Sequence, residues 1–169
     1  MTRTVLVNSG SLAYVQTLSI GPHQLLADEP ADAGGTDAGP NPYELVMAAL
    51  GACTSMTVRM YAERRQWPLE KVHVRATFSR LHAADCGNCN RKKGIVNRIE
   101  KEITLVGDLS ETQRQRLLRV ANNCPVHRVL ASTIEIVSTL SAGSELPPVP
   151  GWSVQERVRG SKPSCDSPG

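Results

Sequence analysis

The sequence predicts an α+β fold, because short strand-like segments, a long apolar helix and two alternating strands follow one another along its 169 residues. Two shorter helices and a last strand-like segment complete the order, which is typical of helices set against antiparallel sheets. A chain of this length can bury a substantial core. We expect one domain over residues 1–140.

The N-terminal part has the composition of three strands. Residues 4–7 and 12–18 are separated by a predicted turn at Asn8-Ser9-Gly10, and residues 24–27 follow a second turn at Gly21-Pro22. Residues 28–40 are rich in Gly, Pro and Asp, which predicts a loop that leads to the long helix.

The long helix has a clear start and an apolar body. Asn41 can cap it, Pro42 suits its first position, and Glu44 can complete a capping box. The nine residues 45–53 are all apolar or small, which predicts a helix buried on every side but too short an apolar run to span a bilayer. We expect the helix to end at Trp67-Pro68.

The middle of the chain predicts an antiparallel hairpin. Residues 71–80 and 98–106 alternate between apolar and polar side chains, and the polar residues 81–97 would form the loop between them. The apolar faces comprise Val72, Val74, Ala76 and Phe78 in the first strand and Ile99, Ile103 and Leu105 in the second.

The remaining segments are a helix pair, a strand and a tail. Ser110 and Gln113 predict a capping box for a helix over residues 111–122, with Leu117, Leu118 and Ala121 facing inward. Pro125 begins a short helix to about residue 131, and residues 133–140 have the pattern of a strand. Residues 141–169 have the composition of a disordered tail.

Composition narrows the function. A net charge of +3 and a single Phe provide neither a basic stripe nor a stacking platform, so we expect no nucleic-acid partner. The N-terminus lacks the apolar stretch of a secretory signal, so we expect a cytoplasmic protein without a membrane partner. Five cysteines in a reducing compartment favour reactive or metal-binding thiols, and an odd number cannot all pair within the chain.

Two cysteines lie in helical contexts. Cys124 precedes Pro125 near the start of a helix, where free N–H groups favour a thiolate. Cys53 would need a cation from another segment, and Cys124, His127 and Arg128 are candidates to lie close to it. The alternative is that both thiols are inert and buried, since free cysteine often packs as a small apolar side chain.

Two motifs together resemble the OsmC/Ohr family, named for osmotically inducible protein C and organic hydroperoxide resistance. They are Gly-Pro-Asn-Pro-Tyr-Glu-Leu-Val-Met-Ala-Ala-Leu-Gly-Ala-Cys, which ends at Cys53, and Asn-Cys-Pro-Val-His, which ends at His127. The resemblance covers roughly residues 4–140. It implies an intertwined homodimer, with antiparallel sheets wrapped around long buried central helices and with sites at the subunit interface.

The resemblance also implies an activity, a thiol peroxidase that reduces organic hydroperoxides. Cys53 would be the peroxidatic thiol, and Cys124 would resolve its sulfenic acid to a disulfide. An external dithiol would then reduce the pair, and no metal or organic cofactor would be needed. A non-enzymatic relative that binds a small apolar ligand or senses redox state is the alternative, and the surroundings of Cys53 discriminate between the two.

The chain departs from the family pattern at two places. Family peroxidases have a glutamate directly after Asn-Pro and an arginine in the N-terminal strands, whereas this chain has Tyr43 followed by Glu44. No arginine occurs in residues 5–26, so only Arg3 and His23 could take the place of the family arginine. Glu44 lies nine residues before Cys53, about 13 Å along a helix, so it can support that thiol only through a kink or from a partner subunit.

Cys86 and Cys89 form a Cys-x-x-Cys pair, with His82 four residues before it. These three side chains could bind zinc if His73, Asp85 or another subunit supplied a fourth ligand. The alternatives are a redox-active pair and two solvent-facing loop thiols.

Overall fold

The computed structural model of the protein describes residues 4–10, 12–82 and 94–140. Within these residues the chain divides into two compact units. One contains the residues up to Glu44 together with those from Thr139 onward, and the other is Leu45–Ser138. The tail predicted at 141–169 and most of the predicted hairpin loop lie outside the described residues.

The first unit contains a three-stranded antiparallel sheet. Its strands are β1 (Val5–Ser9), β2 (Gln16–Ile20) and β3 (His23–Ala27), in the order β1-β2-β3. The predicted turn at Gly21-Pro22 is confirmed, and Gly21 has a φ of 59°, which suits the first position of a two-residue hairpin turn. The first turn differs from the prediction, because β1 continues through Ser9 and the backbone N–H of Val15 donates to the Leu12 carbonyl at 2.9 Å.

The loop after β3 is ordered by one buried carboxylate. Asp28 accepts hydrogen bonds from the backbone N–H groups of Glu29, Thr36 and Ala38, and a fourth from the Thr36 hydroxyl. Close packing also requires a glycine at position 35, because a Cβ there would lie 1.8 Å from the Glu29 carbonyl oxygen. This segment therefore has a defined path into the long helix.

The long helix α1 spans Pro42–Arg64. The predicted capping box is present, since the Glu44 N–H donates to the Asn41 side chain at 3.0 Å and the Asn41 N–H donates to the Glu44 carboxylate at 2.8 Å. Beyond the last turn, Gln66 adopts a left-handed φ of 53° and the Trp67 N–H bonds back to the Ala62 carbonyl. The helix therefore ends close to the predicted Trp67-Pro68 boundary.

The single chain covers only one stripe of α1. The buried residues recur every four positions, at Leu50, Thr54, Val58 and Ala62. Met56 and Met60, on other faces, remain 65% and 53% exposed. The apolar sequence of α1 therefore predicts a more completely buried helix than the single chain shows.

At 23 residues, α1 is also long and apolar enough to cross a bilayer, which the nine-residue run alone does not suggest. The core helix of a globular protein has the same properties, so one such helix is weak evidence for a membrane span.

The second unit pairs α1 with a long hairpin and two helices. Strands β4 (Leu69–His82) and β5 (Ile95–Gly107) are antiparallel, and their register places Val74 opposite Ile103 and Phe78 opposite Ile99, as the alternation predicts. Helix α2 (Glu111–Ala121) starts with the predicted Ser110–Gln113 capping box, and α3 (Pro125–Leu130) follows.

The core of this unit lies between α1 and α2. Its buried members are Val58, Ala62, Leu109, Leu117 and Ala121, and apolar side chains from the inner face of the hairpin pack around them. Leu118 differs from its predicted inward position and is 41% exposed.

Residues 133–140 do not form a strand. A strand requires a hydrogen-bonded neighbour, and no other segment in the described part of the chain pairs with this one. Its apolar side chains, including Ile136 and Leu140, are exposed.

Candidate thiol site

The structure brings the two motif cysteines together. Cys53 comes from the middle of α1, Cys124 precedes α3, and the Cys53 side chain lies close enough to the Cys124 sulfur to lower its pKa. Cys124 is completely buried, whereas Cys53 is half-buried. Proximity of two thiols is the first requirement for a disulfide between them.

Local sequence explains how the Cys124 sulfur is held. Cys124 is the N-cap of α3, with an extended backbone, and Pro125 occupies the first helical position. This geometry directs the sulfur over the backbone N–H of His127, which donates to it at 3.4 Å. The Thr54 hydroxyl of α1 lies 3.4 Å from the same sulfur.

These contacts favour the thiolate form of Cys124. Burial by itself raises the pKa of the thiol, but the hydrogen bonds from Thr54, His127 and Cys53 and the positive charge of Lys101 together lower it below its ordinary value. Cys124 is therefore prepared to act as a nucleophile despite its burial.

Lys101 is the cation at this site. Its Nζ atom donates to the carbonyl of Ala121, the last residue of α2, at 3.0 Å and lies 3.4 Å from Thr54 Oγ1. Burial lowers the pKa of the lysine, and the nearby Cys124 and Cys53 sulfurs act in the opposite direction.

Sequence reasoning missed both Lys101 and Thr54. A signal for the lysine was present, because Lys101 lies between Ile99 and Ile103 on the apolar face of an alternating strand. Thr54 gave a weaker signal, as a polar residue directly after Cys53 in an apolar helix.

His127 contacts Cys124 through its backbone N–H. Its half-buried imidazole has a pKa below the ordinary value, first because of burial and second because of the Lys101 charge, so the neutral ring is favoured. The Arg128 side chain is exposed, and its backbone N–H donates to the Cys124 carbonyl within α3.

The other predicted supporting residues belong to the first unit or fall outside the described residues. Glu44 caps α1, and His23 begins β3, both in the first unit. Arg3 lies outside the described residues. Any role of these three in supporting the thiols stays a prediction.

Of the three predicted zinc ligands, only His82, exposed at the end of β4, lies in the described part of the chain; His73, a candidate for the fourth ligand, lies in the same strand. Cys86 and Cys89 lie outside the described residues. Among the residues with a described structure, no three metal-binding side chains group together.

A cavity of about 270 Å³ opens beside the thiol site. It shares Lys101 and His127 with that site, and Leu50, Ile99 and Leu130 give it an apolar lining. The remaining lining residues are Asn97 and Ala131. The volume is close to the lower end of the range for small-molecule pockets, so a small organic molecule fits the cavity in size and polarity.

Comparisons with known proteins give one consistent result. The family model described as OsmC-like protein matches residues 34–139, which is more than half of the chain. No curated protein matches the sequence significantly.

Similar solved structures include organic hydroperoxide resistance proteins from three bacteria. OsmC from Legionella pneumophila is 20% identical with a TM-score of 0.58, over 78% of this chain and 90% of that one. The protein from Elizabethkingia anophelis is 18% identical with a TM-score of 0.59, over 80% and 91%. OhrB of Bacillus subtilis is 19% identical with a TM-score of 0.53, over 78% and 91%. At these identities the similarity establishes the fold.

Proposed function

Because the chain belongs to the OsmC-like protein family, we propose that it is a thiol peroxidase that reduces organic hydroperoxides. The observation that carries the proposal is the contact between Cys53 and Cys124. Structural relatives named for organic hydroperoxide resistance support the substrate class.

The first step begins with the singly ionised thiol pair. The surroundings favour the charge on Cys124, so the reactive form is the minor tautomer in which the one remaining proton has moved from Cys53 to Cys124. Cys53 attacks the terminal oxygen of the hydroperoxide, so an S–O bond forms, the O–O bond breaks and an alkoxide leaves. The Cys124 thiol protonates the alkoxide to an alcohol, and Cys53 becomes a sulfenic acid.

The second step uses the Cys124 thiolate that the first step leaves. It attacks the Cys53 sulfur, the S–S bond forms, the S–O bond breaks, and the released hydroxide takes a proton from a buffer acid in the solvent and becomes water. An external dithiol then reduces the disulfide by exchange, which restores both thiols and completes the cycle. The apolar cavity beside Lys101 and His127 would hold the organic part of the substrate.

The test is peroxide consumption with tert-butyl hydroperoxide and dithiothreitol. We expect turnover by the wild type and none by Cys53→Ser. Cys165→Ser, which changes a cysteine of the predicted tail, is the control and should retain turnover. In the absence of dithiothreitol, Cys124→Ser should consume one equivalent of peroxide and leave a Cys53 sulfenic acid that dimedone traps. Wild-type turnover by Cys53→Ser would refute the assigned nucleophile.

The alternative is a non-catalytic protein that binds a small apolar ligand or senses redox state. The observation in its favour is the apolar cavity, together with the complete burial of Cys124. It predicts no peroxide turnover by the wild type, and it predicts that tert-butanol or a similar small alcohol protects the protein against thermal unfolding.

We further propose that the protein is a homodimer in which a second copy covers α1. Val46, Met56 and Met60 are large apolar side chains that the single chain leaves exposed on this helix. Sedimentation equilibrium should give twice the mass of the chain, and Met56→Lys should weaken the association. A monomer at micromolar concentration would contradict this part of the proposal.

A further inference from the structure

The direction of one hydrogen bond at the thiol site follows from its neighbour. A lysine ammonium group can only donate hydrogen bonds. Thr54 Oγ1 therefore accepts from Lys101 Nζ at 3.4 Å, and the hydroxyl keeps one proton to donate. The acceptor that the described structure places at that hydroxyl is the Cys124 sulfur, also at 3.4 Å.

Burial strengthens this chain of contacts. Thr54 and Cys124 are both completely buried, so water does not compete for the hydroxyl or for the sulfur. Hydrogen bonds to an ionised group gain strength when water is excluded, and a thiolate accepts more strongly than a thiol. The contacts from Lys101 through Thr54 to Cys124 therefore stabilise negative charge on the sulfur.

Lys101 is held in position from a second direction. Its bond to the Ala121 carbonyl satisfies an acceptor at the last residue of α2, where no further helical N–H is available. The lysine thus connects β5 with both α1 and α2, and its ammonium group is fixed at the point where these elements approach α3.

The titratable groups that face Cys124 come from three elements. They are Cys53 from α1 and Lys101 from β5, together with His127 from α3, which contacts the sulfur through its backbone N–H. Burial favours the neutral imidazole of His127, and Cys53 contributes a thiol proton. The positive charge that this set supplies is therefore that of Lys101.

We propose that Lys101 is a positioning residue that acts through the Thr54 hydroxyl to hold the Cys124 sulfur as a thiolate. The consequence for catalysis, faster attack on the Cys53 sulfenic acid, rests on the proposed peroxidase function. The ionisation of Cys124 does not rest on it.

The experiment measures ionisation without turnover. The fully reduced protein is alkylated with iodoacetamide over a series of pH values, and the extent of reaction at Cys124 is read from its peptide by mass spectrometry. Lys101→Met and Thr54→Val should each move the midpoint for Cys124 upward by about one pH unit, which is about a tenfold loss of thiolate below the midpoint.

Conservative variants separate this role from a structural one. Lys101→Arg keeps a positive donor and Thr54→Ser keeps the hydroxyl, so both should retain a midpoint close to that of the wild type. Lys71→Met, on the exposed face of β4, is the matched control and should leave the midpoint unchanged. If Lys101→Met fails to fold, the comparison of Thr54→Ser with Thr54→Val still decides the question.

Two results would overturn the proposal. One is a Cys124 midpoint that stays at the wild-type value in folded Lys101→Met, and the other is an equal midpoint in Thr54→Ser and Thr54→Val. A protein without peroxide turnover that still shows the predicted shifts would refute the proposed function and keep this inference.

Discussion

Thr36 donates two hydrogen bonds to the Asp28 carboxylate, one from its backbone N–H at 2.8 Å and one from its hydroxyl at 2.7 Å. Asp28 is buried, and the backbone N–H groups of Ala38 and Glu29 complete its set of donors. An ionised carboxylate is therefore the organising group of the loop between β3 and α1.

The first prediction concerns acid stability. Burial alone raises the pKa of Asp28, but the hydrogen bonds led by Thr36 outweigh it and lower the pKa below its ordinary value. A carboxylate with a lowered pKa stabilises the folded state above the pKa of the unfolded chain, and this contribution is lost as the pH falls through the folded value. Asp28→Asn should therefore lower the free energy of unfolding at pH 7 and have a smaller effect near pH 3, as measured with urea.

Asp32→Asn is the control for this measurement, because Asp32 is an exposed carboxylate in the same loop. It should change the unfolding free energy little at either pH. Equal losses for Asp28→Asn at pH 7 and pH 3 would contradict the assigned role of the ionised group.

A second prediction compares two neighbouring leucines of α2. Leu117 is completely buried in the core with Val58 and Ala62, whereas Leu118 is 41% exposed. Leu117→Ala should reduce the free energy of unfolding by about 2–5 kcal/mol through lost burial and a residual cavity. Leu118→Ala should cost much less, and similar losses in the two variants would show that the core is misassigned.

A third prediction concerns Tyr61, whose hydroxyl accepts a hydrogen bond from Arg116 Nε at 2.9 Å. The guanidinium groups of Arg116 and Arg65 also lie over its ring, 5.5 and 5.6 Å from the centroid. The Arg116 hydrogen bond lowers the pKa of Tyr61 most strongly, so Arg116→Gln should raise the pH at which this phenol ionises. Absorbance at 295 nm follows the change, with Tyr61→Phe identifying the signal.

Arg119→Gln, on the same helix, is the matched control and should leave the Tyr61 titration in place. An unchanged titration in Arg116→Gln would mean that the hydrogen bond does not persist in solution.

A fourth prediction uses the imidazole of His127 as a reporter of the lysine charge. Burial and Lys101 both lower its pKa, so Lys101→Met should raise the value without fully restoring the ordinary one. Proton NMR titration of the His127 ring measures the shift, and Lys71→Met should leave it unchanged. A lower His127 pKa in Lys101→Met would reverse the expected sign and place the ammonium group elsewhere.

Protonation of His127 also links to stability. A histidine with a lowered folded pKa leaves the folded state most stable above the pKa of the unfolded chain. Its contribution is lost as the pH falls from about 6.5 towards the folded value. A His127→Asn variant should lose less stability than the wild type over this interval.

Local patterns predicted most of the helices and strands in the second unit. The alternation of β4 and β5, the Ser110 cap of α2 and the Pro125 start of α3 are each decided within a few residues of the chain. The proximity of Cys53 and Cys124 is predicted only by the two motifs in combination. Neither motif by itself indicates where the other cysteine lies.

The remaining features depend on contacts between distant segments. The sequence shows only that Lys101 lies on the apolar face of its strand. Its role becomes visible in the structure, where it contacts the end of α2 and the buried Thr54. The pattern at 133–140 predicts a strand, but a strand also needs a free edge, which local sequence does not reveal. The uniform apolarity of α1 likewise predicts that the helix is buried, but it does not indicate whether the same chain or a second copy buries it.

Cys53 and Cys124 are roughly 70 residues apart in the sequence, so a disulfide between them would cross-link α1 to the start of α3. In the chain-entropy model, a disulfide that closes a loop of that length stabilises the folded state by about 4 kcal/mol, because it lowers the entropy of the unfolded chain. Oxidation of the two thiols would therefore raise the free energy of unfolding, and reduction of the disulfide would lower it again.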